Sequence, residues 1–337
     1  MIGGEFPISV TDVLNAVGRR AQLPDVYSYS SGRAALYQIL KYLREYKSIS
    51  KVLLPDYLCS SILVSVKKLD LDFAFYPIDE QLDLYPKEFS ELYTNGVAVL
   101  LINYFGLKDL QEQINTIRSI DEYAIIIEDD VQAYYEFLKP LNGVDFKFTS
   151  LRKTFAVPDG GLVKTKFHLP VVSVPNSFGQ YKAAGGLLKS MREGNFNDKI
   201  YLDLFQKGES LIDDELELGM SPLADKLYYF ANEDHVKVRR LNNAQYLIEQ
   251  LDKTSIKPIL SLIDNHVPLF IPIYLRNRDV VRRLMFSHDV FCPVHWPQLE
   301  GMNLKRGNEM ALHELSLIVD QRYGKKEMDE MLSLLKK

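Results

Sequence analysis

The chain has 337 residues, 40 Lys and Arg against 45 Asp and Glu for a net charge of −5, and a hydrophobic fraction of 47%. This is the composition of an ordinary soluble globular protein, long enough for about two domains and for a core that needs no staples. The mild acidity gives no reason to expect nucleic acid or an anionic membrane as partner, and no apolar run approaches the ~20 residues that span a bilayer. Only two cysteines, Cys59 and Cys292, are present, without CxxC or Cys/His ligand spacing, which argues against structural zinc and fits a reducing compartment. The opening MIGGEFPISVTDV lacks the basic head and apolar run of a signal peptide, so a cytoplasmic protein is expected.

In chain order, the first stretch that could carry chemistry is YSYSSGRAAL, residues 27–36. Small polar residues lead straight into the helical pattern AALYQILKYLREY (34–46). A helix start offers free N–H groups and the positive end of a dipole, and so can hold a phosphate. Taken alone, the stretch is an ordinary cap by Ser30 or Ser31, not a Walker loop or a GxGxxG turn. KVLLPDY (51–57), VAVLLINYFG (97–106) and YAIIIED (123–129) are apolar runs of strand length, with helical patterns such as LQEQINTIRSI (110–120) between them. Near-continuous apolar strands alternating with helices predict an α/β protein with a mostly parallel sheet covered on both faces. Chemistry in such sheets collects at the carboxyl ends of the strands.

LINYFG (101–106) ends one strand in Asn103 and Tyr104, which could supply polar contacts there or simply stop the strand. IIIEDDVQAYY (125–135) ends the next in Glu128, Asp129 and Asp130, with Gln132 close behind. Three acids directly after a buried strand cannot all be caps; they could bind magnesium, act as a base, or pair with a protonated ring nitrogen. DFKFTS reads as a further strand, and SLRKTFAVPDGG (150–161) follows it, with GGLVKTK returning as a strand. Lys153 therefore lies on a short connection, where a partly buried amine has a lowered pKa and can form a Schiff base. Most lysines before a Gly-Gly pair are turn residues, so this stretch too is weak by itself.

Residues 180 to 240 read as mostly helical, with the acidic DDELELG (213–219) as a solvated surface. Beyond about 240 come a helix, NNAQYLIEQLD, strands in VPLFIPIYL and LSLIVD with the helical DVVRRLMFSHDV between them, and a closing amphipathic helix, EMDEMLSLLKK. The expected division is a large domain over 1–238 and a smaller α+β domain over 239–337. His295 and Trp296, in CPVHWP, read as a loop of the small domain that could touch a substrate if that domain closes over the site. None of the six histidines has metal-ligand spacing, so no metal is expected.

In this order and at these spacings, the stretches resemble the DegT/DnrJ/StrS family of sugar aminotransferases, pyridoxal-phosphate (PLP) enzymes of the aspartate-aminotransferase fold, fold type I. Glu128-Asp129-Asp130-Val131-Gln132 resembles the family's strand-end pattern, and Ser31-Gly32-Arg33 its Ser-Gly-Thr phosphate turn. Ser150-Leu151-Arg152-Lys153 with Pro158-Asp159-Gly160-Gly161 resembles its lysine segment. The likeness continues through LLINYFGLKDL, RRLNNAQYL and LSLIVDQRYGKKEMDEML, nearly the whole chain.

The resemblance implies a large domain with a mostly parallel seven-stranded-type sheet between helices, a small C-terminal α+β domain, and a homodimer. Lys153 would hold PLP as an imine and then serve as the general base. Asp129 would pair with the pyridinium; Asp130 is its rival by chemistry, and the matched spacing to Gln132 selects Asp129. Gln132 would bond near the phenolic oxygen or the imine, and Gly32, Arg33 and Ser150 would hold the phosphate. The implied activity is transfer of an amino group, with glutamate as donor, to a keto sugar linked to a nucleotide. Other PLP chemistry on the same scaffold, or a non-catalytic PLP or sugar-nucleotide sensor, are the competing readings. Family relatives that act as dehydratases replace the lysine, so Lys153 argues against that branch.

Three departures from the family pattern stand out. Arg33 replaces a small hydroxyl residue, and either pairs with the phosphate or turns away and leaves it to backbone N–H groups. The serine-to-lysine spacing is short. Cys59 stands where an aromatic often stacks on the PLP ring, leaving Tyr57 or Tyr104 to do so or the ring face less covered. The donor carboxylate still needs a cation, for which Arg33 or Arg152 is the candidate.

Overall fold

The computed structural model describes residues 1–15, 25–191 and 200–335. Its strands are β1 (Ile2–Gly3), β2 (Val26–Tyr29), β3 (Lys51–Pro55), β4 (Asp72–Tyr76), β5 (Val97–Ile102), β6 (Ile125–Asp129), β7 (Phe146–Ser150), β8 (Gly161–Thr165), β9 (Phe270–Tyr274), β10 (Val290–Phe291) and β11 (Glu314–Ile318). Seven of them form the central sheet, in the order β2-β8-β7-β6-β5-β3-β4. All run in one direction except β8, which is antiparallel to both neighbours. The expected mostly parallel sheet is therefore present. β5 is buried at every position, as a strand covered on both faces must be.

The helix Gly32–Lys47 follows β2 almost at once. Ser31 caps it by accepting a hydrogen bond from the Ala34 N–H at 3.1 Å, a contact contributing about 1 kcal/mol. Ala35, Leu36, Ile39, Leu40 and Leu43 recur at helical spacing and are its buried stripe. The helix ends in Ser48 with φ 54°, and Arg44 and Lys47 sit in the last turn, where the dipole favours cations.

Residues 178 onward are helical as expected, with helices Phe178–Ser190, Ile200–Leu211 and Pro222–Tyr229. The acidic stretch 213–219 keeps its acids largely in solvent, as read from sequence, but it is also tied down. Leu216 in its middle is buried, Asp213 pairs with Arg33 and Glu217 with Lys41, and Glu215 accepts from the Ser177 N–H at 2.7 Å. Asp213, Glu215 and Glu217 link this segment to the helix Gly32–Lys47 and to the start of Phe178–Ser190.

The later part of the chain contains the antiparallel pair β9–β11, flanked in sequence by helices Glu233–Leu251, Arg278–Ser287 and Lys325–Leu335. The N-terminal strand β1 pairs in parallel with β10, Ile2 opposite Val290. The position expected for a domain division, 238–239, falls inside the helix Glu233–Leu251. Among the described residues, no helix is long and apolar enough to cross a membrane.

Candidate active site

A cavity of about 470 Å³ opens at the carboxyl ends of β5, β6 and β7, where a parallel sheet presents its ligands. Asp129, Gln132, Ser150 and Lys153 all line it, as do Ser31, Gly32 and Arg33 at the start of the helix Gly32–Lys47. The residues singled out in sequence thus converge on one space, although they come from three separate segments.

The register of the sheet explains half of this convergence. Tyr29 on β2 and Ser150 on β7 are both paired with Gly161 on the reversed strand β8 between them. A side chain at Gly161 would put its Cβ 2.0 Å from the Ser31 carbonyl oxygen, so only glycine lets the strands close. Gly160, with φ +110°, donates its N–H to Ser30 O at 2.7 Å and accepts from the Leu151 N–H at 3.0 Å. The glycine pair is therefore a clasp between the helix start and the lysine segment. At Gly32 an added Cβ would lie 3.1 Å from Ser150 Cβ and 3.3 Å from Val131 Cγ2. A narrow cradle remains between a helix N-terminus and the Ser150 hydroxyl, which suits an anion.

Asp129 is the last residue of β6 and is buried, one oxygen accepting from the Val131 N–H at 2.9 Å. Burial raises its pKa to about 7, against the Val131 bond and with a further push from Glu128. Asp130 points the other way. It is fully buried beside Glu128 and Lys147, whose Nζ lies 3.1 Å from Glu128 and 4.0 Å from Asp130, and it does not line the cavity. Gln132 accepts from the Phe105 N–H at 2.8 Å, which fixes its amide with Nε2 left for the cavity. The LINYFG stretch thus contributes a backbone donor to Gln132; Asn103 turns its side chain to the Lys108 N–H instead.

Lys153 sits in the one-turn helix Leu151–Thr154. Leu151, Thr154 and Phe155 anchor that turn in the core, Phe155 edge-on to Tyr134 at 4.7 Å. The lysine side chain is exposed, but to the interior of the cavity, with protein packed around it. Loss of hydration lowers its pKa, and Arg152 repels it further. Among the described residues it has no ion pair, so the amine is free for chemistry.

Arg33 and Arg152 differ from the sequence expectation. Arg33 holds Glu209 and Asp213, each at 2.8 Å, so its guanidinium is turned onto carboxylates and only its backbone N–H is left for an anion in the cradle. Arg152 pairs with Glu209 at 3.4 Å and lies 3.9 Å from Glu5, and Lys182 bonds both acids at 2.9 and 2.7 Å. Neither arginine is a free anchor for a donor carboxylate. Sequence reasoning missed Glu209, which ties three cations together from a helix distant in the chain.

The far wall comes from the C-terminal part of the chain and includes His295 and Trp296, read from sequence as a loop. His295 Nδ1 lies 2.8 Å from Ser316 Oγ, which bonds Glu314 at 2.5 Å, and the His295 N–H donates to the other Glu314 oxygen at 2.6 Å. Burial lowers His295 to about 3, with added repulsion from Lys153, and raises Glu314 to about 8. The proton on this chain sets the imidazole tautomer: with Glu314 ionised, Ser316 donates to it and Nδ1 carries the imidazole proton; with Glu314 neutral the order reverses and Nδ1 accepts. Tyr57 and Tyr104 are buried behind this wall, stacked at 5.3 Å, and do not face the cavity; Trp296 and Cys59 do.

No family model matches the sequence, and no curated protein does. Solved structures of the same fold are nevertheless found over the whole chain. A sugar aminotransferase, CalS13 from Micromonospora echinospora, is 14% identical with a TM-score of 0.71, over 100% of this chain and 99% of that one. The aminotransferase TlmJ from Streptoalloteichus hindustanus is 14% identical with a TM-score of 0.73, over 100% and 98%. The PLP form of Spr1654 from Streptococcus pneumoniae, described as a sugar aminotransferase, is 13% identical with a TM-score of 0.70, over 99% and 97%. The chain has their fold, the PLP-transferase fold of type I.

Proposed function

We propose that this protein is a PLP-dependent aminotransferase that moves an amino group from an amino acid, glutamate, to a keto sugar carried on a nucleotide. One observation carries the reading. A free lysine amine, a carboxyl at the end of a buried strand and a helix-start anion cradle open on a single cavity, in a fold shared with sugar aminotransferases.

The residues fit the cofactor. The Gly32–Ser150 cradle, which a Cβ would crowd, would take its phosphate through backbone N–H groups and the Ser150 hydroxyl. Asp129, poised by burial near neutrality, would hold a proton on the ring nitrogen, and Gln132 Nε2 would reach the ring oxygen. Bound there, PLP supplies an electron sink for the carbon next to the transferred amine. Lys153 supplies the covalent attachment point and, with its lowered pKa, a base that moves the proton at that carbon. Arg33, Arg152 and Lys182 hold Glu209 and so keep the cavity wall in place.

We take the working unit to be a homodimer, which is what the family resemblance implies. The two free cysteines support a cytoplasmic setting. The test is borohydride reduction of the PLP-treated protein, followed by peptide mapping and single half-reactions. Label on Lys153, amino transfer from glutamate, and return of the amine to a keto sugar are expected. Label elsewhere or no uptake overturns the cofactor assignment; exchange with simple keto acids and none with keto sugars overturns the sugar assignment.

A further inference from the structure

With Arg33 and Arg152 both committed to carboxylates, the cavity needs another cation if it is to hold an anionic substrate. Arg322 is likewise spent: it binds both oxygens of Asp320, at 2.7 and 2.9 Å. Two guanidinium groups lining the cavity have no carboxylate within ion-pair distance among the described residues, Arg240 and Arg282. Arg282 is half-exposed on the helix Arg278–Ser287, stacked over Phe286, and solvent can balance its charge. Arg240 is 2% exposed. Its Nη1 donates to the carbonyls of Leu269 at 3.0 Å and Pro268 at 3.4 Å, and among the described residues neither its buried Nε nor its Nη2 has an acceptor. The acid it senses most is Asp320, whose oxygens Arg322 already holds; Tyr135 and Arg322 are the other titratable groups that act on it. Burial pulls its pKa down to about 10, as expected of a cation sealed away from water without a partner. A charge in that position is costly unless something completes it.

We propose that Arg240 is the anchor for a small carboxylate at the inner end of the cavity, and that this carboxylate is the one beside the transferred amine of the amino donor. The identity of the ligand rests on the aminotransferase reading; the anion site itself does not. A carboxylate is favoured over a phosphate because one guanidinium, with one nitrogen already bound to carbonyls, can match two oxygens in a plane but cannot surround a tetrahedral, doubly charged group.

The probe is succinate, a dicarboxylate that cannot react, titrated calorimetrically into the full-length protein with and without PLP, with inorganic pyrophosphate as a second probe. Arg240→Gln should weaken succinate by at least about tenfold, the loss expected when a charged hydrogen-bond partner goes. Arg240→Lys should fall between, and Arg282→Gln should stay within about threefold of the parent. In half-reactions, Arg240→Lys should raise the half-saturating glutamate concentration while leaving that for the keto sugar unchanged, which a merely structural arginine would not do. If Arg240→Gln does not fold, Arg240→Lys decides. The proposal is overturned if the parent does not bind succinate or if affinity is unchanged in folded Arg240 variants. It also fails if Arg282→Gln is the variant that loses succinate, or if pyrophosphate rather than succinate depends on Arg240. Arg240-dependent succinate binding in a protein that takes up no PLP would leave this site standing and sink the aminotransferase reading; glutamate turnover indifferent to Arg240 would do the reverse.

Discussion

The two faces of β6 carry the same chemistry to different ends. Asp129 and Asp130 are neighbours, both buried, and burial raises the pKa of each. Asp130 lies with Glu128 against a lysine from the adjacent strand, Lys147, which also bonds the Glu136 carbonyl at 3.2 Å. That cluster contains its own cation and is closed. Asp129 has one backbone donor and an open side on the cavity. A perturbed carboxyl is therefore no sign of a site by itself; what marks Asp129 is that its missing partner has room to arrive from outside.

The strongest way to break this contrast starts from the amine across the cavity. Lys153→Ala removes the attachment point and the base together, and should lower transamination by about 10⁴-fold or more, the upper end for such a base. The variant should still take up some PLP through the cradle, seen by absorbance and dialysis. Lys147→Met, on the closed face, should show the opposite pattern. Leaving two buried acids without their cation should cost about 3–5 kcal/mol in denaturant unfolding, while the folded fraction keeps its turnover.

Asp129→Asn and Asp130→Asn sharpen the contrast within a single residue type. The first should lower kcat by about 10²–10³-fold, as for loss of one preorganised electrostatic partner; the second should stay within about tenfold, because asparagine mimics the neutral acid that burial favours there. The cofactor-free protein gives an independent reading. Asp129 has a folded pKa of about 7 against an unfolded value of 3.8. Between those values the native state keeps a proton that the unfolded state has lost, so stability falls as pH rises through that window, by at most about 1.4 kcal/mol per pH unit. Asp129→Asn should remove that part of the slope, measured as the difference from the parent across pH 4 to 7. An unchanged slope would mean that Asp129 is already ionised and has a partner inside the protein.

Which of these residues could be read from sequence follows from where they sit in the chain. β5 and β6 are legible because a strand buried on both faces has nearly unbroken apolar character, β7 because its apolar and polar residues alternate, and Asp129, Gln132 and Lys153 because they close such strands within a few residues. Arg240 is not, since RRLNNAQYL reads as helix and nothing in its spacing separates the buried Arg240 from Arg239, which reaches out to the Tyr323 carbonyl. Glu209 and the Glu314–Ser316–His295 chain are hidden for the same reason: each joins the site only through contacts between segments far apart in sequence, Glu209 with Arg152 and Arg33 at separations of 57 and 176 residues. The acidic stretch 213–219 is solvated as composition implies, but its pairing with a distant helix is not legible there, because a free loop and a paired one have the same composition.

The smallest effect belongs to Arg33, where sequence left two possibilities open. The side chain could bind the phosphate, or turn away and leave the backbone to do so. Its guanidinium is on Glu209 and Asp213, both 44% exposed at the side chain, and such ion pairs contribute about 0–1 kcal/mol each. Arg33→Gln should therefore leave PLP affinity within about threefold and cost about 1 kcal/mol of stability. Gly32→Ala is the partner experiment. Its new Cβ would meet Ser150 Cβ at 3.1 Å and Val131 Cγ2 at 3.3 Å, so the cradle must widen or the Ser150 hydroxyl must move. PLP affinity should drop by about tenfold, the order of one hydrogen bond to a charged group. If the ranking is reversed, with Arg33→Gln the variant that releases PLP, then the guanidinium leaves its carboxylates when the cofactor binds, and the cradle is built by a side chain and not by the helix start.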